Sequence, residues 1–179
     1  MARNIRQHKQ LEKSSVATAI LAYITKNPGV HFKDLNRTLH LAPGTLQYHL
    51  NRMEESNIVI VQRKKYHTSY FPPSMKDPLD QKIMVLLRQD IPRKLIILLL
   101  EKSEKSGLEL AKSLKITKST LSYYTKRLVE LGILSIKIEG REKRYSVTNP
   151  QRTGNLLKDY KSSFGDEVVN RFVDLWVRI

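Results

Sequence analysis

The pattern of apolar and polar positions predicts three helices followed by a hairpin in the first part of the chain. Apolar residues recur at helical spacing over about 14–27, and "NPG" ends that helix. A short helix over about 32–40 and a longer one over 44–56 follow. The turn "LAPG" separates them, and Pro43 suits a first helical position because its missing N–H needs no partner there. "IVIVQRKKYHTSYF" is rich in β-branched and aromatic residues around a polar middle, which predicts a hairpin.

The same order returns in the second part of the chain. Helices are predicted over about 92–104, 108–115 and 118–131; Thr117 is a suitable N-cap for the third, and Gly132 lies just past its end. The run from Leu134 to Ile138 then alternates apolar and polar residues, which predicts a half-buried strand. "EGRE" supplies the turn and "KRYSV" the returning strand.

The two parts are an internal repeat with an offset of 75 residues. "APGTLQYHLNRMEESNIV" and "TKSTLSYYTKRLVELGIL" align without a gap, and the match extends from the first helix to Tyr70 and Tyr145. It includes polar as well as apolar positions, for example Thr45 with Thr120, Tyr48 with Tyr123 and Arg52 with Arg127. A chance alignment of two amphipathic helices does not predict such agreement.

Helix, helix, turn, helix and hairpin is the order of a winged helix-turn-helix, whose second helix of the pair docks in the DNA major groove. The predicted fold class is therefore mainly α with small β-hairpin wings (α+β): two tandem winged helix-turn-helix domains plus C-terminal helices. The predicted segments are a basic N-terminal arm over 1–13, domain 1 over 14–73, a linker and connecting helix over 74–91, domain 2 over 92–149 and a helical tail over 150–179.

A helical wheel predicts which side chains of the repeated helix face outward. Leu46, Leu50 and Met53 form an apolar seam in the first copy, and Leu121 and Leu128 form it in the second. His49 and Tyr124 lie beside the seam and are interpreted as packing residues. The outward sets are polar, apart from the two tyrosine rings, and comprise Gly44, Gln47, Tyr48, Asn51 and Arg52, and Ser119, Ser122, Tyr123, Lys126 and Arg127. These residue types hydrogen-bond base edges and phosphates, although an ordinary solvated face is the alternative.

The charge distribution supports a polyanionic partner. The formal net charge is +15, which favours nucleic acid. Residues 1–74 contain 11 Lys and Arg against 4 Asp and Glu, residues 75–149 contain 16 against 9, and residues 150–179 contain 5 against 4. The excess is shared by the two copies and nearly absent from the tail, whose apolar stripe ending in Leu175, Trp176 and Ile179 predicts packing or self-association.

The predicted hairpin tips and the N-terminus add basic segments. The tips "QRKKYH" and "EGREKR" carry Arg63, Lys64 and Lys65, and Arg141 and Lys143, which suit the adjacent minor groove or phosphates. A solvated tip is the alternative for each. "ARNIRQHK" is interpreted as either a disordered basic arm or part of the fold.

Several other functions lack their signals. The chain has no cysteine, which excludes disulfides and cysteine-ligated metals, and its histidines show no recognised ligand spacing. It has no phosphate loop, zinc-protease motif or nucleophile elbow, so we predict no enzyme and no cofactor. The longest apolar run, Leu95 to Leu100, is far shorter than the roughly 20 residues that span a bilayer. Without a secretory signal, this predicts a soluble, cytoplasmic protein that does not enter membranes.

The repeated segments resemble a known family. "NPGVHFKDLNRTLHLAPGTLQYHLNRMEESNIVIVQRKKYHTSYFP" resembles the first domain of archaeal tandem winged-helix transcriptional regulators within the MarR/ArsR-like superfamily. "KLIILLLEKSEKSGLELAKSLKITKSTLSYYTKRLVELGILSIKIEGREKRYSV" resembles their second domain. Such tandem proteins include regulators of archaellum genes, whose length is compatible with this chain.

The resemblance implies an archaeal cell and binding to promoter or operator DNA through the two recognition helices. The implied contacts are made by Thr45, Gln47, Tyr48, Asn51 and Arg52, and by Thr120, Ser122, Tyr123, Lys126 and Arg127. Lys118, Ser119 and the hairpin residues named above complete the predicted DNA contacts. Two linked modules would occupy successive major-groove faces about 34 Å apart. The alternatives are a tandem winged-helix protein–protein module of the transcription machinery and a nucleic-acid binder without sequence preference. A homodimer through the C-terminal helices stays open.

Overall fold

The structure is a computed structural model that describes residues 15–64 and 67–177. The chain forms two compact units, residues 1–81 and 82–179, which we describe separately. The expected basic arm over 1–13 and the hairpin residue Lys65 lie outside the described residues. No helix within the described ranges is both long and apolar enough to cross a bilayer.

The first unit has the predicted order of elements. A helix α1 covers 15–26 of the described residues, and it is followed by β1 (Val30–His31), α2 (Phe32–Leu39), α3 (Pro43–Glu55), β2 (Ile60–Lys64) and β3 (His67–Phe71). The three strands form an antiparallel sheet in the order β1-β3-β2. The helix α4 (Pro78–Leu87) begins in this unit and continues into the next.

The second unit repeats that order and adds the tail. Its elements are α5 (Asp90–Glu101), β4 (Lys105–Ser106), α6 (Gly107–Leu114), α7 (Lys118–Glu130), β5 (Leu134–Glu139), β6 (Glu142–Val147), α8 (Pro150–Asp159) and α9 (Glu167–Trp176). The sheet has the order β4-β6-β5 and is antiparallel. Helix α5 begins two residues before the predicted 92 and ends three before 104.

The 75-residue offset holds in the backbone. α2 and α6 have equivalent bounds, as do α3 and α7. Val30 pairs with Tyr70 in the first sheet, and Lys105 pairs with Tyr145 at the same register in the second. His40 and Lys115 both end their short helices with a left-handed backbone, at φ 51° and 53°. The structure therefore confirms the internal repeat.

The same equivalence holds for the cores. Six matched pairs of apolar residues are buried in both units: Ile20 and Leu95, Ile24 and Leu99, Leu35 and Leu110, Leu46 and Leu121, Met53 and Leu128, and Val59 and Leu134. Burial of such side chains is the main favourable contribution to folding. The repeated helix is therefore fixed by its seam in each copy, which leaves its opposite face to solvent.

The repeated helix begins differently in the two units. Pro43 occupies its first turn in α3, where Ala42 supplies no side-chain cap. In α7 the Thr117 side chain accepts a hydrogen bond from the Thr120 N–H. The predicted positions of Pro43 and Thr117 are both confirmed. Each residue suits a first helical turn, where N–H groups lack a partner: proline has no N–H, and the threonine side chain accepts a hydrogen bond from one. Gly132 follows α7 at φ 72° in the left-handed region, as predicted for a C-terminal glycine.

Two expectations about the second unit were wrong. Strand β5 is not half buried: Leu134 is buried, but Ile136 and Ile138 are 41% and 70% exposed, because the rest of the fold covers only the first residue of the strand. The tail is not helical throughout. It breaks after α8, passes through a short 3-10 turn at Lys161–Ser163 and restarts at α9 after Gly165, whose φ is 58°.

The tail packs on the second unit, as its apolar stripe predicted. Val169, Phe172 and Val173 of α9 are buried, and α9 contacts α5 and α8. The Trp176 ring lies over Gly154 so closely that a Cβ there would clash with it. Arg93 of α5 donates to Asp166, which also caps α9. Leu175 and Val177 at the end of the stripe are exposed.

Candidate nucleic-acid interface

The outward face of α3 is polar and internally ordered. Thr45, Gln47, Tyr48, Asn51 and Arg52 are all exposed. Gln47 Nε2 donates to Asn51 Oδ1 at 2.7 Å, and Arg52 Nη1 donates to the Tyr48 hydroxyl at 3.0 Å. Both bonds join residues four apart, which are neighbours on a helix surface. An amide pair and a phenol–guanidinium pair therefore lie side by side.

The Tyr48–Arg52 hydrogen bond has an electrostatic consequence. It raises the pKa of Arg52 above its already high value, with a smaller contribution from Glu55. Like any arginine, Arg52 is charged at physiological pH, and its side chain is exposed. A planar cation of this kind pairs bidentately with guanine edges or phosphates.

The outward face of α7 has the same shape with different chemistry. Lys118, Ser119, Ser122, Tyr123 and Lys126 are exposed, and the Tyr123 side chain is 62% exposed. Lys126 lies 4.0 Å from Glu130 in a loose exposed ion pair. In the described part of the chain, no hydrogen bond joins Tyr123 to Arg127 or Ser122 to Lys126 as their counterparts are joined in α3.

Two predicted contact residues of α7 are less accessible than the others. Arg127 is half buried. Thr120 is also half buried, and its hydroxyl lies 2.9 Å from that of Thr117 in the N-terminal cap. The helical wheel does not show either feature, because it ignores the cap and the neighbouring elements.

The seam residues lie as predicted, and the structure adds one detail. His49 is buried beside Leu46, Leu50 and Met53. Its counterpart in the second copy is Tyr124, which is half buried. Thr125 of α7 is buried, and its hydroxyl donates to the Leu121 carbonyl, which satisfies a polar group that burial would otherwise penalise.

The first hairpin is tied to the recognition helix by an ion pair that sequence analysis missed. Both terminal nitrogens of Arg63 on β2 donate to the Glu54 carboxylate of α3 at 2.5 Å. This bidentate contact lowers the pKa of Glu54. A predicted phosphate contact therefore has a carboxylate partner inside the protein. The repeat alignment contained a signal for this pair. The equivalent residues in the second copy are the apolar Val129 and Ile138, so the ion pair exists in one copy only.

The other predicted contact residues of the hairpins that the structure describes are exposed. Lys64 ends β2, Arg141 lies in the turn between β5 and β6, and Lys143 lies on β6. Glu139 pairs with Lys137 at 2.6 Å and with Arg144 at 2.8 Å, which leaves Arg141 and Lys143 as the cations of that tip without an ion pair among the described residues.

The described residues bring together no group of three or more His, Asp or Glu side chains that could hold a metal ion. What the arrangement provides instead is donors and cations on two exposed helix faces, each flanked by a basic hairpin. Such surfaces bind polyanions and base edges.

Comparison with known proteins agrees with this geometry. Residues 14–84 match a family model described as an N-terminal HTH domain, and residues 92–135 match the model of bacterial regulatory proteins of the arsR family. The chain is 28% identical over 158 residues to an uncharacterized HTH-type transcriptional regulator of Methanocaldococcus jannaschii. That alignment covers 88% of this chain but only 38% of the relative.

Proposed function

Because this chain is a tandem winged helix-turn-helix protein of the transcriptional-regulator class, we propose that it binds double-stranded DNA with sequence specificity and regulates transcription. Helices α3 and α7 enter major grooves of promoter or operator DNA. The hairpins β2–β3 and β5–β6 contact the flanking minor groove or phosphates. The matches to known proteins support the assignment as a transcriptional regulator. The geometry of the two helix faces supports the mode of DNA recognition.

One observation carries the proposal: both copies present an exposed, polar recognition face at equivalent positions. Tyr48 and Tyr123 are 43% and 62% exposed, although burying an aromatic ring is ordinarily favourable. Each tyrosine has a basic residue one helical turn further along, Arg52 or Arg127. A hydroxyl and a guanidinium or ammonium at this spacing suit a phosphate beside a base edge.

Differences between the faces support recognition of two different half-sites. The face of α3 offers the amides of Gln47 and Asn51, which suit adenine. The face of α7 offers Ser122 and Lys126 at the equivalent positions. Two unlike faces predict an operator whose halves differ in sequence rather than a palindrome.

A second candidate function, a protein-binding module of the transcription machinery, is favoured by one observation. Ile136 and Ile138 are adjacent on one face of β5 and exposed. An apolar pair at the tip of a hairpin suits a protein surface better than a phosphate backbone. It does not account for the polar faces of α3 and α7, so DNA binding remains the proposal.

The experiment is selection of bound duplexes from a random library, followed by titration of the selected duplex in the presence of unrelated duplex. Sequence-specific binding predicts that the selected duplex is preferred by about 10³-fold or more. Equal competition by both duplexes identifies a binder without sequence preference. The protein-binding module predicts a different result. The wild type then binds no duplex but binds a protein of the transcription machinery, and Ile136→Ser loses that binding.

A further inference from the structure

The second copy contains a pocket at a position where its repeat partner carries a phenylalanine instead of a glycine. The pocket has a volume of about 290 Å³ and lies between the start of α6, the outward side of α7 and strand β6. Leu121 and Tyr145 line it, and Gly107 opens it at the first residue of α6. The equivalent of Gly107 in the first copy is Phe32. Phe32 packs against the core cluster that contains Leu46 and Tyr70, the counterparts of Leu121 and Tyr145.

The pocket is lined by cations without a partner. Lys118 and Lys143 both line it and are exposed, and neither side chain forms an ion pair or hydrogen bond among the described residues. Ser122 adds a hydroxyl and Glu142 one carboxylate, which leaves a net charge of +1. The first copy has Pro43 and Thr68 where the second has the two lysines. The first copy thus lacks both the glycine and the two lysines at the equivalent positions.

Size and position limit what this pocket takes. The pocket volume of about 290 Å³ lies at the lower end of the roughly 300–1,000 Å³ that sites for whole small-molecule ligands enclose. It has room for a small anion or one sugar-phosphate unit. It adjoins Ser122 of the recognition face and Lys143 of the hairpin. A DNA backbone that passes from the face of α7 to this hairpin crosses its mouth. Two ammonium groups and a hydroxyl are the donors that a phosphodiester requires.

We propose that the pocket beneath Gly107 holds one backbone phosphate with its deoxyribose, clamped by Lys118 and Lys143. The inference rests on the proposed DNA binding and assigns the second copy a backbone anchor that the first copy lacks. The clamp fixes the position of α7 along the duplex without selecting a base, since phosphate contacts set register and orientation.

The test is Gly107→Phe, which restores the residue of the first copy and fills the pocket. Gly107→Ala is the matched control, because a Cβ there meets Tyr145 and Leu121 at 3.6 and 3.8 Å, ordinary contact distances. Binding to the selected duplex is measured over a range of salt concentrations, and phosphate ethylation interference identifies the phosphates that the protein needs. We expect Gly107→Phe to weaken binding roughly tenfold, to lower the salt slope by about one unit and to abolish interference at one phosphate, with base preference unchanged.

A second variant keeps the test decisive if the phenylalanine disturbs folding. Lys143→Gln changes an exposed side chain, and we expect it to abolish interference at that same phosphate. If Gly107→Phe folds, the double variant should bind no more weakly than the weaker single variant. Unchanged interference in both single variants overturns the clamp while leaving DNA binding intact. Failure of the wild type to bind any duplex overturns the proposed function, and the clamp with it.

A free phosphate ion is the other ligand that could occupy this pocket, because it offers the same phosphate oxygens as the DNA backbone. Inorganic phosphate is titrated into the wild type while the amide resonance of Gly107 is followed by NMR. Saturable binding of phosphate, together with an ethylation pattern that Lys143→Gln leaves unchanged, would assign the pocket to a free phosphorylated molecule and overturn the proposal. Weak binding that added duplex displaces supports it.

Discussion

At the residue scale, the Glu54–Arg63 pair bears directly on the proposed contact of the first hairpin with DNA. The guanidinium is held by a carboxylate of the recognition helix, although 61% of the Arg63 side chain is exposed. A phosphate approaching the hairpin must compete with that carboxylate, and Glu54 itself repels the backbone. The pair therefore positions Arg63 and weakens its contact with phosphate at the same time.

Glu54→Gln should tighten DNA binding severalfold and steepen the salt slope by about one unit, because it releases Arg63 to a phosphate. The unfolding midpoint should hardly change, since exposed ion pairs contribute little to stability. Glu55→Gln is the matched control, because it removes the same charge from the same helix, and Glu55 forms no ion pair with the described residues of the hairpin. Equal binding by Glu54→Gln and Glu55→Gln would contradict a competing role for the carboxylate.

Sequence reasoning found the exposed residues better than their partners. A helical wheel places Tyr48, Asn51 and Arg52 outward because helix geometry alone fixes which residues share a face. It cannot place Glu54 against Arg63, since that contact depends on how the hairpin folds back on the helix. For the same reason Ile136 and Ile138 were expected to be half buried by alternation. Alternation shows which residues share a face of a strand, but not whether another element covers it.

At the element scale, α5 and α9 are joined by a buried ion pair. Burial would raise the pKa of Asp166, but hydrogen bonds from Arg93 and from the Val168 N–H outweigh it, so the pKa is lowered. A carboxyl whose pKa is lower in the folded than in the unfolded chain stabilises the fold above its unfolded pKa. That stabilisation is lost as the pH falls through the folded pKa.

Asp166→Asn should therefore lower the free energy of unfolding by about 1–2 kcal/mol at neutral pH, although asparagine still caps α9. The difference from the wild type should shrink below about pH 4, where the unfolded carboxyl is protonated. Urea unfolding at several pH values measures this. Asp174→Asn, at an exposed pair with Lys161, is the control and should have little effect. A difference that is independent of pH would contradict an ionic origin.

The helices α8 and α9 depend on close approach at Gly154. Gly154→Ala should lower the free energy of unfolding by about 1–3 kcal/mol, because the new methyl group must displace the Trp176 ring. Alanine otherwise favours a helix by roughly 1 kcal/mol. Gly44→Ala, with nothing within 4 Å of its Cβ, is the control and should stabilise slightly. Thermal unfolding of both variants tests this, and a stabilised Gly154→Ala variant would show that the ring moves away freely.

Element order was predictable and its interruptions were not. The same pattern occurs twice in the chain, so each copy constrains the helix bounds of the other. The predicted bounds of α2, α3, α6 and α7 therefore lie within about one residue of those observed. The tail had no second copy. Its apolar spacing continues across Gly165, where the left-handed backbone breaks the helix, and periodicity alone does not register such a break.

At the scale of the whole molecule, duplication gives one chain two exposed helix faces, the proposed recognition faces, that differ in detail. The first has ordered amide and tyrosine–arginine pairs and a hairpin tied to its helix. The second has unpaired cations and a pocket beneath Gly107. Such division suits a monomer on a non-palindromic operator. Light scattering at the concentrations used for DNA binding separates a monomer with two recognition helices from a homodimer with four.

The most direct test of two working faces compares Arg52→Ala and Arg127→Ala on the selected operator, with every base pair substituted in turn. Lys158→Ala is the control, because it removes one exposed charge from the tail. We predict that each arginine variant binds about tenfold or more weakly and loses base preference in a different half of the operator, while the control keeps the full pattern. Loss in the same half for both variants, or an unchanged pattern in either, would contradict the account.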